Sequence, residues 1–101
     1  MIAYVVELDV EAAFAAEYLS WLRAHVQKML VLPGFMSAEI FERLEPAAEA
    51  GHVGYSVLYR LRDRAAFESY LHEHAPRMRE AGLRAFGEHV RARRGLLQAL
   101  G

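Results

Sequence analysis

The 101-residue chain contains no cysteine, which removes at once a disulfide framework, a thiolate metal site and a cysteine nucleophile. Any metal or covalent chemistry falls to other residues. It also lacks a glycine-rich phosphate loop, a nucleophile elbow and a clustered pair of carboxylates, so three common enzyme signatures are missing. An excess of one charge is missing too. With 12 Lys and Arg against 13 Asp and Glu, the net charge of −1 provides no field to draw in a polyanion or an acidic membrane, and nucleic acid becomes a disfavoured partner. No apolar run approaches the ~20 residues of a membrane-spanning helix. The stretch Met1 to Val10, interrupted by Glu7 and Asp9, has neither the basic flank nor the cleavage site of a secretory signal, and the expected compartment is the cytoplasm.

What remains is a well-mixed composition, 54% hydrophobic and 25% charged, enough to fill one core and unlike the compositions that stay disordered. The length suits a single domain over residues 1–101. Ile2 to Leu8 is a β-branched and aromatic run that reads as a strand, ending at Asp9, which is expected to cap the helix that follows. From Ala12 to Leu32, Phe14, Tyr18, Leu22, His25, Val26 and Met29 recur at three- and four-residue steps, the pattern of a long amphipathic helix. Pro33-Gly34 stops it.

Phe35 to Glu45 reads as a half-exposed strand with Met36, Ala38, Ile40 and Leu44 on its apolar side, and Val53 to Leu61 as its hairpin partner. Asp63 is expected to cap a second helix carrying Phe67, Tyr70, Leu71, His74 and Met78, with Pro76 opening a following helical segment. Val90 and Ala92 alternate with Arg91 and Arg93 as in an edge strand over His89 to Leu97. The order strand, helix, strand, strand, helix, strand predicts an α+β, ferredoxin-like fold. It has a four-stranded antiparallel sheet and both helices on one face. The first and third strands are apolar on both sides: Ala3 and Val5 oppose Ile2, Tyr4, Val6 and Leu8, and Leu58 opposes Tyr55, Val57 and Tyr59. The uncovered face is therefore expected to pack against that of a second copy, giving a homodimer through the sheet faces.

On helical wheels His25 falls in the stripe of Tyr18, Leu22 and Met29, with Trp21 one turn earlier, while His74 aligns with Tyr70, Phe67, Leu71 and Met78. The two imidazoles are candidate acid/base groups or polar anchors in one helix–sheet cleft, with Tyr18, Trp21 and Tyr70 as candidate ligand contacts. The plainer reading gives each imidazole a hydrogen-bonded place at the edge of the core. His72-Glu73-His74 is poorly spaced for a metal, since residues two apart on a helix point to different sides, and no metal and no resident cofactor are expected. A haem iron needs only one axial histidine in an apolar pocket, which His74 near Trp21 would offer. Arg91, Arg93 and Arg94 read as a solvated edge strand, and Gly54 to Tyr59 as only a partial RNA-recognition strand.

The stretches Trp21 to Val26, Gly34-Phe35, and Tyr70-Leu71-His72-Glu73-His74-Ala75-Pro76 with Arg79, Gly82 and Phe86-Gly87 resemble an uncharacterised bacterial family, domain of unknown function 4286. The resemblance spans nearly the whole chain. That family's pattern has counterparts of His25 and of Tyr70, His74, Ala75 and Pro76, although a proline often found after its first histidine position is Gln27 here. The resemblance implies membership of the dimeric α/β-barrel superfamily, a ferredoxin-like subunit and a face-to-face sheet dimer. Similar superfamily members include cofactor-free monooxygenases of polyketide quinones, small-molecule isomerases, stress-responsive barrel proteins and haem-degrading enzymes. A cleft follows from this likeness, but no particular reaction does. The leading expectation is a site for a small planar or aromatic molecule. A non-catalytic ligand-binding or dimeric interaction module is the main alternative, and haem binding a third.

Overall fold

The computed structural model describes residues 1–101. Strand β1 (Ile2–Glu11) leads through a turn of 3-10 helix into helix α1 (Ala15–Leu30). Strands β2 (Phe35–Glu42) and β3 (His52–Leu61) form the hairpin, helices α2 (Arg64–Glu73) and α3 (Ala75–Phe86) follow with Pro76 in the first turn of α3, and β4 (Val90–Gln98) closes the chain. The sheet is antiparallel throughout in the order β2-β3-β1-β4. This is the ferredoxin-like α+β arrangement, with β1 at the centre paired over nearly its whole length on both sides.

Alternation along the strands divides the sheet into two faces. Ile2, Tyr4, Leu8 and Val10 of β1 and Tyr55, Val57, Tyr59 and Leu61 of β3 are buried under the helices. Helix α1 lays Tyr18, Leu22, Val26 and Met29 on them, and α2 adds Phe67 and Tyr70. Tyr4 gathers Tyr59, Phe67 and Tyr70 around itself with ring centroids 5.0–5.8 Å apart, tilted and offset contacts that add to the stabilisation from burial. Asp63 caps α2 as its position suggests, its carboxylate accepting the Ala66 N–H at 2.8 Å.

Two local expectations are corrected. Asp9 does not cap the first helix: β1 runs on to Glu11, and neither Glu11 nor Phe14 makes a side-chain cap at the helix start. A strand hydrogen-bonded on both edges gains more from extending its ladder than from one capping bond, and Asp9 pairs instead with the Arg43 guanidinium. In β2 a bulge between Phe35 and Ser37 shifts the alternation. Phe35 turns inward onto Tyr59 and Tyr70, while Met36, expected on the apolar side, is 62% exposed. The strand ends at Glu42, leaving Leu44 exposed.

The face away from the helices is apolar over one half and charged over the other. Ala3, Val5, Leu58 and Leu97 occupy neighbouring positions at one end. At the other, Arg43 bridges Glu7 at 2.9 Å and Asp9, Ser56 donates to Glu7 at 2.5 Å, and Arg93 stands opposite Glu7 on β4. No helix is long and apolar enough to cross a membrane.

Candidate functional site

Between the helices and the sheet lies a cavity of about 100 Å³. Its floor comes from alternate residues of β1, β3 and β4, one wall from α1, and the other from Tyr70 of α2 and a face of α3. Helix α3 approaches α1 closely at one small residue. Gly82 of α3 meets the Trp21 ring so closely that a Cβ there would stand 3.3 Å from it, and Ala92 is the short residue of β4 at the exposed edge.

Of the residues singled out from sequence, Tyr18, Trp21, His25 and Tyr70 line this cavity. Trp21 and His25, one turn apart on α1, stack with centroids 4.6 Å apart and planes at 14°. Burial first, then the Lys28 charge, hold the His25 imidazole below its ordinary value. It is therefore neutral at physiological pH, with a ring nitrogen free to accept a proton. Burial pushes the Tyr18 hydroxyl up to about 12 against a smaller opposing pull from Arg94, burial and then Tyr4 push that of Tyr70 to about 12 against Arg79 and Arg94, and burial pushes that of Tyr59 up as well. All three remain hydrogen-bond donors.

His74 is placed elsewhere. It sits at the junction of α2 and α3, where its backbone closes one helix and opens the next, and its Nδ1 lies 2.6 Å from Arg77 Nη2. It is outside the cavity lining, so the two imidazoles do not meet in one cleft. The reason is the break before Pro76: the wheel that aligns His74 with Tyr70 assumes one continuous helix, and the chain turns at His74. No group of three His, Asp or Glu side chains converges as a metal site would require.

Two charged residues line the cavity that sequence alone did not place there. Arg94, grouped there with Arg91 and Arg93 on a solvated strand, is exposed at the rim of the cavity and also borders the groove on the open side, which Arg93 faces, while Arg91 pairs with Glu49 at 3.0 Å. The signal was its parity with Val90, Ala92 and Leu96. Arg79 reaches in from α3, its Nη2 donating to the Tyr4 hydroxyl at 3.2 Å, and the series Ala75, Arg79, Gly82, Phe86 marks that face of the helix.

Residues 1–100 match the family model described as domain of unknown function, DUF4286. The chain belongs to that family. No curated protein matches it in sequence. Among solved structures, the DUF4286 chain is similar to SnoaB, a cofactor-independent oxygenase from Streptomyces nogalater, with a TM-score of 0.73 at 20% identity over 99% of this chain and 93% of that one. A dimeric ferredoxin-like protein from an uncultured marine organism gives a TM-score of 0.73 at 11% identity, covering 99% and 95%. A variant of MhuD with two manganese protoporphyrin IX bound per active site gives 0.73 at 12%, covering 99% and 95%. At such identities these likenesses establish the DUF4286 fold and leave its chemistry to its own residues.

Proposed function

We propose that this protein binds a small planar or aromatic molecule in the helix–sheet cavity, as one subunit of a homodimer packed through the open sheet faces. The observation that carries the reading is the wall itself: Trp21, Tyr18, Tyr59 and Tyr70 present flat rings around a void, with His25 and the tyrosine hydroxyls as the polar points that orient a ligand. His25, neutral and stacked on Trp21, is the group suited to take a proton from a bound molecule. The size supports a single ring or a compact ligand, since about 100 Å³ falls below the ~300–1,000 Å³ of sites for drug-sized molecules. Haem, which the MhuD variant's porphyrin brings into question, is disfavoured by that volume and by the position of His74 outside the wall. An NMR screen of aromatic fragments tests the cavity. We expect hits to shift the signals of the cavity residues in the unaltered chain and to be lost in Ala92→Phe, whose ring fills the edge of the void on a strand that accepts aromatics. Hits unaffected by that change would place binding elsewhere.

The dimer reading rests on Ala3, Val5, Leu58 and Leu97 forming an apolar patch that the chain's own helices do not cover. A similar structure described as dimeric supports it. Light scattering is expected to give the mass of two chains, against 11.5 kDa for one, and Leu58→Asp is expected to shift it to that of one. A folded single chain at micromolar concentration before any substitution would overturn the dimer.

A further inference from the structure

The polar groups of the cavity are unevenly signed. Two guanidinium groups, Arg79 from α3 and Arg94 from β4, line it, and no carboxylate does. Six of the chain's nine other arginines are paired, Arg43 with Glu7 and Asp9, Arg60 with Glu39, Arg62 with Asp63, Arg64 with Glu68, Arg84 with Glu80 and Arg91 with Glu49, while Arg23, Arg77 and Arg93 are not and lie outside the cavity. Arg79 and Arg94 take part in no ion pair, and the Arg79 Nε is fully buried with no hydrogen-bond partner. A buried donor on a charged group is costly to leave unsatisfied, and a guanidinium offers its remaining N–H groups as a fork that fits two oxygens side by side. The buried Tyr18 and Tyr70 hydroxyls add neutral donors on the same cavity.

We infer that the ligand of this cavity is an aromatic carboxylate, its ring against Trp21 and its carboxylate held between Arg79 and Arg94. The inference rests on the proposed small-molecule site and names the class of molecule it takes. A carboxylate conjugated with a ring stays flat and satisfies the Arg79 Nε that the protein alone leaves open.

Benzoate and benzamide, alike in shape and different in charge, make the test by NMR titration at low ionic strength, with phenyl phosphate as a third probe. Benzoate is expected to bind about tenfold or more tightly than benzamide, the magnitude of a charge-assisted hydrogen bond. Arg79→Met is expected to abolish that preference by weakening benzoate far more than benzamide, Arg94→Met to reduce it, and Arg79→Lys to restore part of it. Circular dichroism checks that each variant is folded; if Arg79→Met is not, Arg79→Lys and Arg94→Met carry the test. Equal binding of benzoate and benzamide, or equal loss of both in the Arg79 variants, overturns the carboxylate assignment while the aromatic site stands. Tighter binding of phenyl phosphate overturns the planar anion. Failure of all three probes to bind the unaltered chain overturns the aromatic site and the anion together.

Discussion

Gly34→Ala is expected to destabilise the fold by about 3–4 kcal/mol, a large part of the ~5–15 kcal/mol available to a small domain. Gly34 ends the connection after α1 with φ +85°, a conformation that costs any residue with a Cβ about 1–2 kcal/mol. A Cβ here would also fall 2.4 Å from that of Ala66 in the first turn of α2, so the helix or the loop has to move. The Gly34 carbonyl accepts the Arg62 N–H at 2.9 Å just before that turn, and Phe67 and Tyr70 follow on the same helix, so the displacement reaches the cavity wall at Tyr70. Gly51 separates the two contributions, because its φ is +79° and nothing lies within 4 Å of a Cβ there. Gly51→Ala should therefore show the conformational cost alone. Urea melts of both variants and of Gly34→Ala with Ala66→Gly measure the difference. Equal losses at Gly34 and Gly51, or no recovery in the double variant, would mean that the close approach to Ala66 contributes nothing.

The second large effect is expected at Arg43, whose side chain is only 8% exposed. Its three nitrogens hold Glu7, Asp9 and the Pro46 carbonyl together, which ties the end of β2 and the following loop to the central strand. Asp9 also accepts the Glu49 N–H at 3.1 Å. Arg43→Met leaves two carboxylates on one strand face without their cation. We expect a loss of about 1–3 kcal/mol, less than the ~3–5 kcal/mol of a fully buried broken pair because the carboxylates keep contact with water. The pH dependence has a definite sign. The Arg43 hydrogen bond holds Asp9 below its ordinary 3.8, so the stabilisation is present above that pH and fades as the pH falls through the lower folded value. Asp63, held down by the Ala66 N–H, contributes in the same window and survives the substitution. Arg43→Met should therefore flatten the acid side of the stability profile without abolishing it, and an unchanged slope below pH 4 would refute the role given to the pair.

Much of the architecture was legible because each element announces itself by a single period. The alternation of Ile2 to Leu8, the three- and four-residue steps of Tyr18, Leu22 and Met29, the Asp63 cap and the Pro76 start require no tertiary information. Where two local rules competed, sequence alone was a poor judge. Asp9 fits both a cap and a strand, and the outcome depends on partners on β3 and β4 that are distant in the chain. The Phe35 bulge changes parity by one residue, which only the register with β3 reveals. Tyr18, Trp21, His25 and Tyr70 stand on the cavity wall because they lie on helix faces set by long, unbroken periodicity. His74 was misplaced because its helix ends under it. Arg79 and Arg94 were not placed at the cavity because charged residues on a helix and an edge strand ordinarily face water; Arg79 turns in toward the Tyr4 hydroxyl, a partner distant in the chain, and Arg94 stands at the exposed rim.

The stacked pair on α1 also gives the molecule a built-in optical gauge. Trp21 is the chain's single tryptophan, so its ultraviolet emission comes from one known place, the cavity wall, in direct contact with the His25 ring. Tyr4, Tyr18, Tyr59 and Tyr70, four of the five tyrosines, border the same void and pass their excitation to the indole across it. A molecule entering between the rings, or a proton arriving on His25, alters the brightness and colour of that one fluorophore, and occupancy can be followed in the unlabelled protein as it happens.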